Sequence, residues 1–403
     1  MSSIANRNVL SQVLGILQKN AKDLWSDRYG KKLFLGNTTM LFLEAILSKR
    51  NAVGEIADHL ESNPWLQKWV ELESIHESSL NRKLNDVPTD RLCQTYVELV
   101  EHFTRDFGFP STLKGLGALS AVDSTSITIG KTRGEWAHLQ SNKNAVKVHT
   151  CLRLTSEQSG IPTATVLSTG SVADLDHEVV DHLIWEEDIT YLMDRGYIDY
   201  GQFLKWNREG ISFVARLKAN SRVRVLSERE IGAGAIEKDE EVELQDPSTG
   251  EVGIFRLVTY TFKDEKGKEH RVRALTNRWD LTASEVAQAY RYRWKVEIFF
   301  KLMKQRLHLK KVYSAKPTAV WNQIFLNLIA YLLCEYCRNN VAPDAALGKM
   351  MSKMRHYLMR PWCEFVKVMN PIPQRTSKGR RNKGGRPRLY KKKIKKERRI
   401  FKG

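Results

Sequence analysis

Three acidic residues stand where they could bind a metal ion together. Asp123 interrupts the apolar, β-branched stretch LSAVDSTSITI, and Asp194 follows directly after another such stretch, Ile189–Met193. An acid inside a strand is costly unless it is paired or binds metal, although a single strand-end Asp is more often a loop-capping residue. A third acid, Glu297, lies on the polar face of a predicted helix. Carboxylates that converge from separate elements repel one another, and a divalent cation relieves this repulsion.

The chemistry that such a group of acids favours is metal-assisted reaction at a phosphodiester. Carboxylate oxygens that leave coordination positions open for water and phosphate oxygens suit Mg²⁺. Two such ions about 4 Å apart can activate an attacking oxygen and stabilise the leaving 3′ oxygen. We therefore expect two Mg²⁺ ions as cofactors, with Mn²⁺ able to substitute for them. No histidine base is needed.

The helix that carries the third acid also carries cations and aromatic rings. Residues 290–304 lack Gly and Pro and are rich in helix-forming residues, so the sequence predicts one continuous helix. One face has polar and aromatic side chains at helical spacing: Tyr290, Arg293, Glu297 and Lys304, with Trp294 and Lys301 at its border. The opposite face is apolar, as expected of a helix packed on a core. An ordinary solvated face is the alternative interpretation.

The spacing Tyr-x2-Arg-x3-Glu-x6-Lys on this helix resembles the signature of the insertion sequence four family of bacterial insertion-sequence transposases. On the basis of this spacing and of the motif DRGY at 194–197, residues 113–339 resemble the RNase H-like core of DDE transposases. The resemblance implies nicking of DNA at transposon ends, followed by attack of the freed 3′ hydroxyl on the opposite strand and later on target DNA. It also implies that Asp123, Asp194 and Glu297 are the metal-binding catalytic triad.

The same resemblance implies that Tyr290, Arg293 and Lys304 contact the DNA backbone near the cleaved end. A guanidinium offers phosphate a two-pronged fork, and an ammonium offers a point charge. Trp294 either stacks on an extruded base or packs against the protein, and Lys301 is a further candidate DNA contact.

A polar pair on a predicted strand is a further candidate. Lys147 and His149, in the stretch NAVKVHT, share one face of that strand because side chains alternate along it. We expect them to contact DNA or to support the site from behind.

Strand and helix patterns predict a mixed α/β core that positions these groups. Strands are expected at 119–129, 146–154, 163–168, 189–193 and 211–217, with helices at 174–187 and 199–210. This order suits a mixed sheet. Residues 222–278 are turn-rich and predict a small antiparallel β insertion, with two strands meeting across the turn KDEKGKE.

The first hundred residues are helical in pattern and predict a DNA-binding domain. Residues 52–61 and 76–84 resemble the two helices of a helix-turn-helix, with an ordinary helical bundle as the alternative. Arg82 and Lys83 are the residues expected to face DNA. The predicted organisation is a helical domain at 1–110, a core at 111–221 and 279–340 around the insertion at 222–278, a helical segment at 341–373, and a basic disordered tail at 374–403.

The charge of the chain points to a polyanionic partner. Lysines and arginines number 65 against 46 acids, and residues 374–403 alone contain fifteen of these cations and one acid. Such a polar tail cannot bury enough apolar area to fold alone. Its GGRPR motif could enter a DNA minor groove through Arg386 and Arg388. The predicted partners are double-stranded DNA, as transposon ends and target, and a second copy of the chain in a synaptic homodimer, which the resemblance implies.

The remaining sequence features predict a cytoplasmic protein with no membrane partner, associated with the nucleoid when it is bound to DNA. Five cysteines, an odd number, do not suggest a disulfide framework. Cys334 and Cys337 form a CxxC without a second ligand pair, inside the apolar run 324–337, which is too short to span a bilayer. Two other functions stay open: an RNase H-like nuclease without strand transfer, and a transposase-derived DNA-binding regulator.

Overall fold

A computed structural model of the chain describes residues 7–20, 32–110, 113–130, 134–140, 143–231, 234–264 and 266–371. The helices in these ranges are α1 (Val9–Asn20), α2 (Leu35–Ser48), α3 (Val53–Ser62), α4 (Pro64–Val70), α5 (Glu77–Asp86), α6 (Thr89–Phe107), α7 (His177–Leu183), α8 (Tyr200–Arg208), α9 (Ala283–Arg291), α10 (Trp294–Arg306), α11 (Pro317–Val341), α12 (Leu347–Tyr357) and α13 (Trp362–Met369). The strands are β1 (Ala118–Ile129), β2 (His138–Gln140), β3 (Lys143–Leu154), β4 (Gly160–Thr169), β5 (Ile189–Met193), β6 (Ser212–Arg216), β7 (Arg224–Glu228), β8 (Ile236–Gln245), β9 (Val252–Lys263) and β10 (Glu269–Thr276).

The described strands form one mixed sheet in the order β2-β3-β1-β5-β6-β10-β9-β8-β7, with β4 paired to β3. β1 is antiparallel to β3 and parallel to β5, and β5 is parallel to β6. The mixed α/β class predicted from the sequence is confirmed. Every residue of β5 is buried, as expected of a parallel strand covered on both faces.

Helices cover both faces of this sheet. On one face, α9 and α10 pack against the strands, and the long helix α11 lies among α2, α5, α6 and α12. On the other face, α7 and α8 pack over β5 and β6 through a separate apolar cluster that includes Phe203 and Phe213. Among the described helices, α11 is long and apolar enough to cross a membrane by length and composition, but it is mostly buried inside the protein. Its apolar run, with Cys334 and Cys337, is therefore part of the core.

Residues 222–278 supply four antiparallel strands that continue the sheet of the core. β10 pairs with β6, and β9, β8 and β7 follow outward. A buried ion pair ties this region to the chain that leads into α9. Arg256 donates from Nε to Asp239 Oδ1 at 2.8 Å and from Nη2 to Oδ2 at 2.7 Å, and its Nη1 donates to the carbonyl of Leu281. This two-pronged pair holds the start of α9, which precedes α10.

The expected helix-turn-helix is wrong in one respect. The segment between α3 and α5 is itself a helix, α4, so three helices lie where two helices and a turn were expected. Asn63 accepts a hydrogen bond from the Leu66 N–H at 3.0 Å, and Pro64 occupies the first helical position; both features start helices. Trp65 and Trp69 stack on one another along α4.

Candidate active site

Two acids leave the sheet at the same end of neighbouring parallel strands. β1 and β5 are in register at Ala121 and Leu192, and two residues further along each chain stand Asp123 and Asp194. Asp123 Oδ1 accepts the N–H of Ser124 at 2.8 Å. Asp194 ends β5, and its Oδ1 accepts the Gly196 N–H at 2.7 Å, which starts a short 3₁₀ turn. The topology therefore places side by side two residues that are 71 positions apart.

The predicted continuous helix at 290–304 is wrong, because the structure divides it into α9 and α10. Between them the backbone makes tighter bonds: Tyr292 N–H to Ala289 O at 3.0 Å, and Arg293 N–H to Tyr290 O at 3.1 Å. These three-residue bonds are of the 3₁₀ type. Glu297 consequently lies in the first turn of α10, where the helix dipole favours a negative charge. No Gly or Pro marks this break.

Arg293 connects the third acid to the first. Its Nη2 donates a hydrogen bond to Glu297 Oε1, and its Nη1 lies 3.7 Å from Asp123 Oδ2. The guanidinium also lies over the ring of Tyr290, 5.9 Å from the ring centre. Among the described residues, the buried Tyr290 hydroxyl has no hydrogen-bond partner. Arg293 thus bridges acids from β1 and α10 instead of pointing to solvent.

The charge state of Asp123 reflects this crowding. Burial raises the pKa of Asp123 to about 7, and the negative charges of Asp194 and Glu297 add to the rise. The Ser124 N–H and the positive charge of Arg293 oppose it. Arg293 is shared between Asp123 and Glu297, so its positive charge lowers the pKa of Asp123 only in part.

A fourth acid, Asp174, lies beside the site and was missed by sequence reasoning. Its Oδ1 is 3.3 Å from Lys147 Nζ and 3.3 Å from His149 Nδ1. Burial alone would raise the pKa of Asp174, but hydrogen bonds from His149 and Ser124 and the charge of Lys147 lower it to about 2. Asp174 is therefore a firmly ionised group. The sequence placed it at the start of a predicted helix, and nothing local distinguished it from a capping residue.

Lys147 and His149 both lie beside Asp174. The His149 ring is fully buried, and its Nε2 is 2.8 Å from Ser168 Oγ. Lys147 Nζ donates to the Val172 carbonyl at 2.7 Å, in addition to its contact with Asp174. The His149 ring thus has no surface exposed to solvent, and its polar neighbours are Ser168 and Asp174.

Tyr197, the last residue of DRGY, faces the same group of acids. Its side chain is buried, and its hydroxyl has no hydrogen-bond partner among the described residues. Burial raises the pKa of Tyr197 well above its usual value, and the charges of Asp174, Asp123 and Asp194 contribute. The hydroxyl therefore keeps its proton.

The other predicted contacts lie around the site or beyond the described residues. Trp294 is 58% exposed, Lys301 is exposed, and Lys304 is half-buried on the same helix. Burial and the charge of Lys310 lower the pKa of Lys304, while Asp123 opposes this. In the helical domain, Arg82 is exposed and Lys83 is half-buried. Arg386 and Arg388 lie outside the described residues.

The donor set fits a hard divalent cation, although the side chains are not yet arranged around one. In the described part of the chain, no three His, Cys, Asp or Glu side chains group closely enough to ligate a single ion as they stand. The oxygens of Asp123, Asp194 and Glu297 are nevertheless the donors that Mg²⁺ prefers. A bound cation would lower the raised pKa of Asp123. In this structure Arg293 supplies part of the positive charge that opposes the rise.

Comparison with known proteins identifies relatives along most of this region. A family model described as a transposase DDE domain matches residues 115–333. A probable transposase for insertion sequence element IS5377 of Geobacillus stearothermophilus is 28% identical over 66% of this chain and 68% of its own length. The putative transposase y4zB of Sinorhizobium fredii is 28% identical over 55% of this chain and 61% of its own length. The transposase InsG for IS4 of Escherichia coli is 24% identical over 43% and 40% respectively.

Proposed function

The chain belongs to the family of insertion-sequence DDE transposases, and from this premise we propose that it cleaves DNA at terminal inverted repeats and joins the freed 3′ ends to target DNA. One observation carries the proposal. Arg293 draws together Asp123 and Glu297, which are 174 positions apart, beside the strand end that carries Asp194. A protein that only binds DNA has no need of three mutually repelling acids at one place.

The catalytic group in this proposal is the triad Asp123, Asp194 and Glu297, which would hold Mg²⁺ through carboxylate oxygens. When bound, the metal supplies charge stabilisation at the scissile phosphate and activation of the attacking oxygen. Ser124 and Gly196 orient the two aspartates through their backbone N–H groups. The strand order β4-β3-β1-β5-β6 supports an RNase H-like core, the fold the sequence predicts.

Arg293, Tyr290 and Lys304 are proposed to hold the DNA backbone near the cleaved end. Arg293 is placed to exchange a carboxylate partner for a phosphate, because its fork fits either anion. Trp294 is exposed enough to stack on an extruded base. The partners are double-stranded DNA and a second copy of the chain, each copy acting in a paired complex, and the setting is the cytoplasm.

The test uses the full chain and a labelled duplex that carries one end of the mobile element. Asp194→Asn and Glu297→Gln should each abolish cleavage in Mg²⁺, a loss of orders of magnitude in rate, while binding to the same duplex is retained. Asp188→Asn is the matched control, because Asp188 is an exposed acid that precedes β5 while Asp194 follows it. It should cleave normally.

Three results would contradict parts of this proposal. Near wild-type cleavage by either site variant would remove that residue from the triad. Cleavage by the wild-type chain with no joining to target DNA would favour the nuclease. Binding without any cleavage by the wild-type chain would favour the regulator.

A further inference from the structure

Four half-buried basic side chains gather at the far end of α10 from the triad. Lys49 follows the end of α2, Arg306 ends α10, His308 comes just after it, and Arg355 lies in the last turn of α12. α12 packs against both α2 and α10, so the C-terminal ends of three helices meet there. We call these four residues the basic cluster. They come from parts of the chain up to 306 positions apart, so the fold and not a local run of charge assembles them.

The members of the basic cluster lie close enough to repel one another. Burial, and then the charges of Arg355 and Arg306, lower the pKa of Lys49. Burial and Arg306 lower the pKa of Arg355, while burial, Lys49, Lys311 and Arg355 lower that of His308. Within the described ranges, no carboxylate lies within 4 Å of Lys49, Arg306 or Arg355. The cluster is therefore a concentration of positive charge without an acidic counterpart.

The nearby acid and the helix ends do not neutralise this charge. Glu55 raises the pKa of His308, but its Oε2 accepts the Asn51 N–H at 2.8 Å and pairs with none of the four cations. Each helix C-terminus carries about half a negative charge. Three of them offset roughly half of the charge on Lys49, Arg306 and Arg355.

The backbone at two of these positions is also unusual. Lys49 has φ 62° and His308 has φ 63°, in the left-handed region where glycine is the least costly residue. A basic side chain occupies a helix-ending position in both places, at a cost on the order of 1 kcal/mol each.

Building on the proposed function, we propose that Lys49, Arg306, His308 and Arg355 bind backbone phosphates of the DNA on which the chain acts. Arg306 lies nine residues beyond Glu297 on α10, about 14 Å along the helix axis and about half a turn round it. The basic cluster therefore offers DNA a second contact, on a different face of α10 from the triad. Arg306 and Arg355 contribute the two guanidinium forks, which suit phosphate oxygens.

The test compares Arg306→Gln with Arg355→Gln, and their double variant, in the full chain. The probe is a duplex oligonucleotide of random sequence, without divalent metal, with binding measured across a series of salt concentrations. The slope of log affinity against log salt should flatten by about 0.9 for each phosphate that the variant no longer neutralises, and so by about 2 in the double variant. Arg105→Gln is the matched control, because Arg105 is an exposed cation in the last turn of α6. It should leave the slope unchanged.

The alternative role of these cations, complementing three helix ends, gives a different result. In that case the double variant would lower the melting temperature and leave the salt slope of DNA binding unchanged, which would overturn the proposal. A slope that flattens equally with Arg105→Gln would overturn it too. Failure of the proposed function is separable, because it appears as absent cleavage in Mg²⁺ whatever the slope without metal.

Discussion

Replacing Asp123 with Asn should stabilise the metal-free protein at alkaline pH, even though it removes a proposed catalytic group. Asp123 is half-buried near two other acids, and its pKa in the folded chain is about 7 against 3.8 for an ordinary Asp. Between these values the unfolded chain has released the proton and the folded chain keeps it. The free energy of unfolding therefore falls as pH rises from about 4 to about 7.

The size of this effect follows from the two pKa values. Each pKa unit between them is worth about 1.36 kcal/mol, so burying this carboxyl costs about 4 kcal/mol at pH 8, where it is ionised, and about 2 kcal/mol at pH 5, where the folded chain keeps the proton. Asn carries no charge and escapes this cost, and the attraction of Arg293, whose Nη1 lies 3.7 Å away, is already included in the folded pKa of Asp123. We expect a net gain of about 4 kcal/mol at pH 8 and about 2 kcal/mol at pH 5.

Asp174→Asn is the matched comparison, because the same substitution should act with the opposite sign. The pKa of Asp174 is lowered to about 2, so its charge stabilises the folded chain at every pH above about 4 and this contribution disappears only in stronger acid. The variant should lose about 2 kcal/mol at pH 5 and pH 8 alike. Urea unfolding with EDTA at the two pH values measures both variants. A destabilised Asp123→Asn protein, or one whose change in stability is the same at both pH values, would refute the reasoning.

Other substitutions test the surroundings of the triad. Arg293→Ala should slow end cleavage more than it weakens binding to random duplex. It should also cost about 1–2 kcal/mol of stability, because two acids lose their cation. An equal loss of binding to any duplex would indicate a plain electrostatic role. Trp294→Ala should change stability by less than about 0.5 kcal/mol because the ring is largely exposed, yet weaken binding to a processed end by about 1–3 kcal/mol; an unchanged affinity would contradict stacking. Truncation after Pro373, beyond the described residues, should flatten the salt slope by several times 0.9 and leave cleavage at saturating DNA roughly unchanged; loss of cleavage with an unaltered slope would contradict a purely electrostatic tail.

The sequence by itself determined the class of the fold and the family. Runs of β-branched residues marked β1, β3, β4, β5 and β6, because such side chains suit the pleated, buried surface of a sheet. The motif DRGY and the spacing around Glu297 carried the resemblance to transposases, which the family match to residues 115–333 confirms. These features are local, and a local pattern can be read along one chain. The assignment of Asp123, Asp194 and Glu297 as catalytic ligands stays a prediction for the cleavage assay.

Only the tertiary structure decided how these groups face one another. The break between α9 and α10 has no Gly or Pro to announce it, and packing of α9 on β6, β9 and β10 accompanies it. Arg293 turned out to be a partner of Asp123, and Asp174 a partner of Lys147 and His149, because strand pairing and helix docking bring distant residues together. The basic cluster likewise exists only where three helix ends meet. Contacts between residues far apart in sequence depend on the whole packed core, and no stretch of the chain encodes them alone.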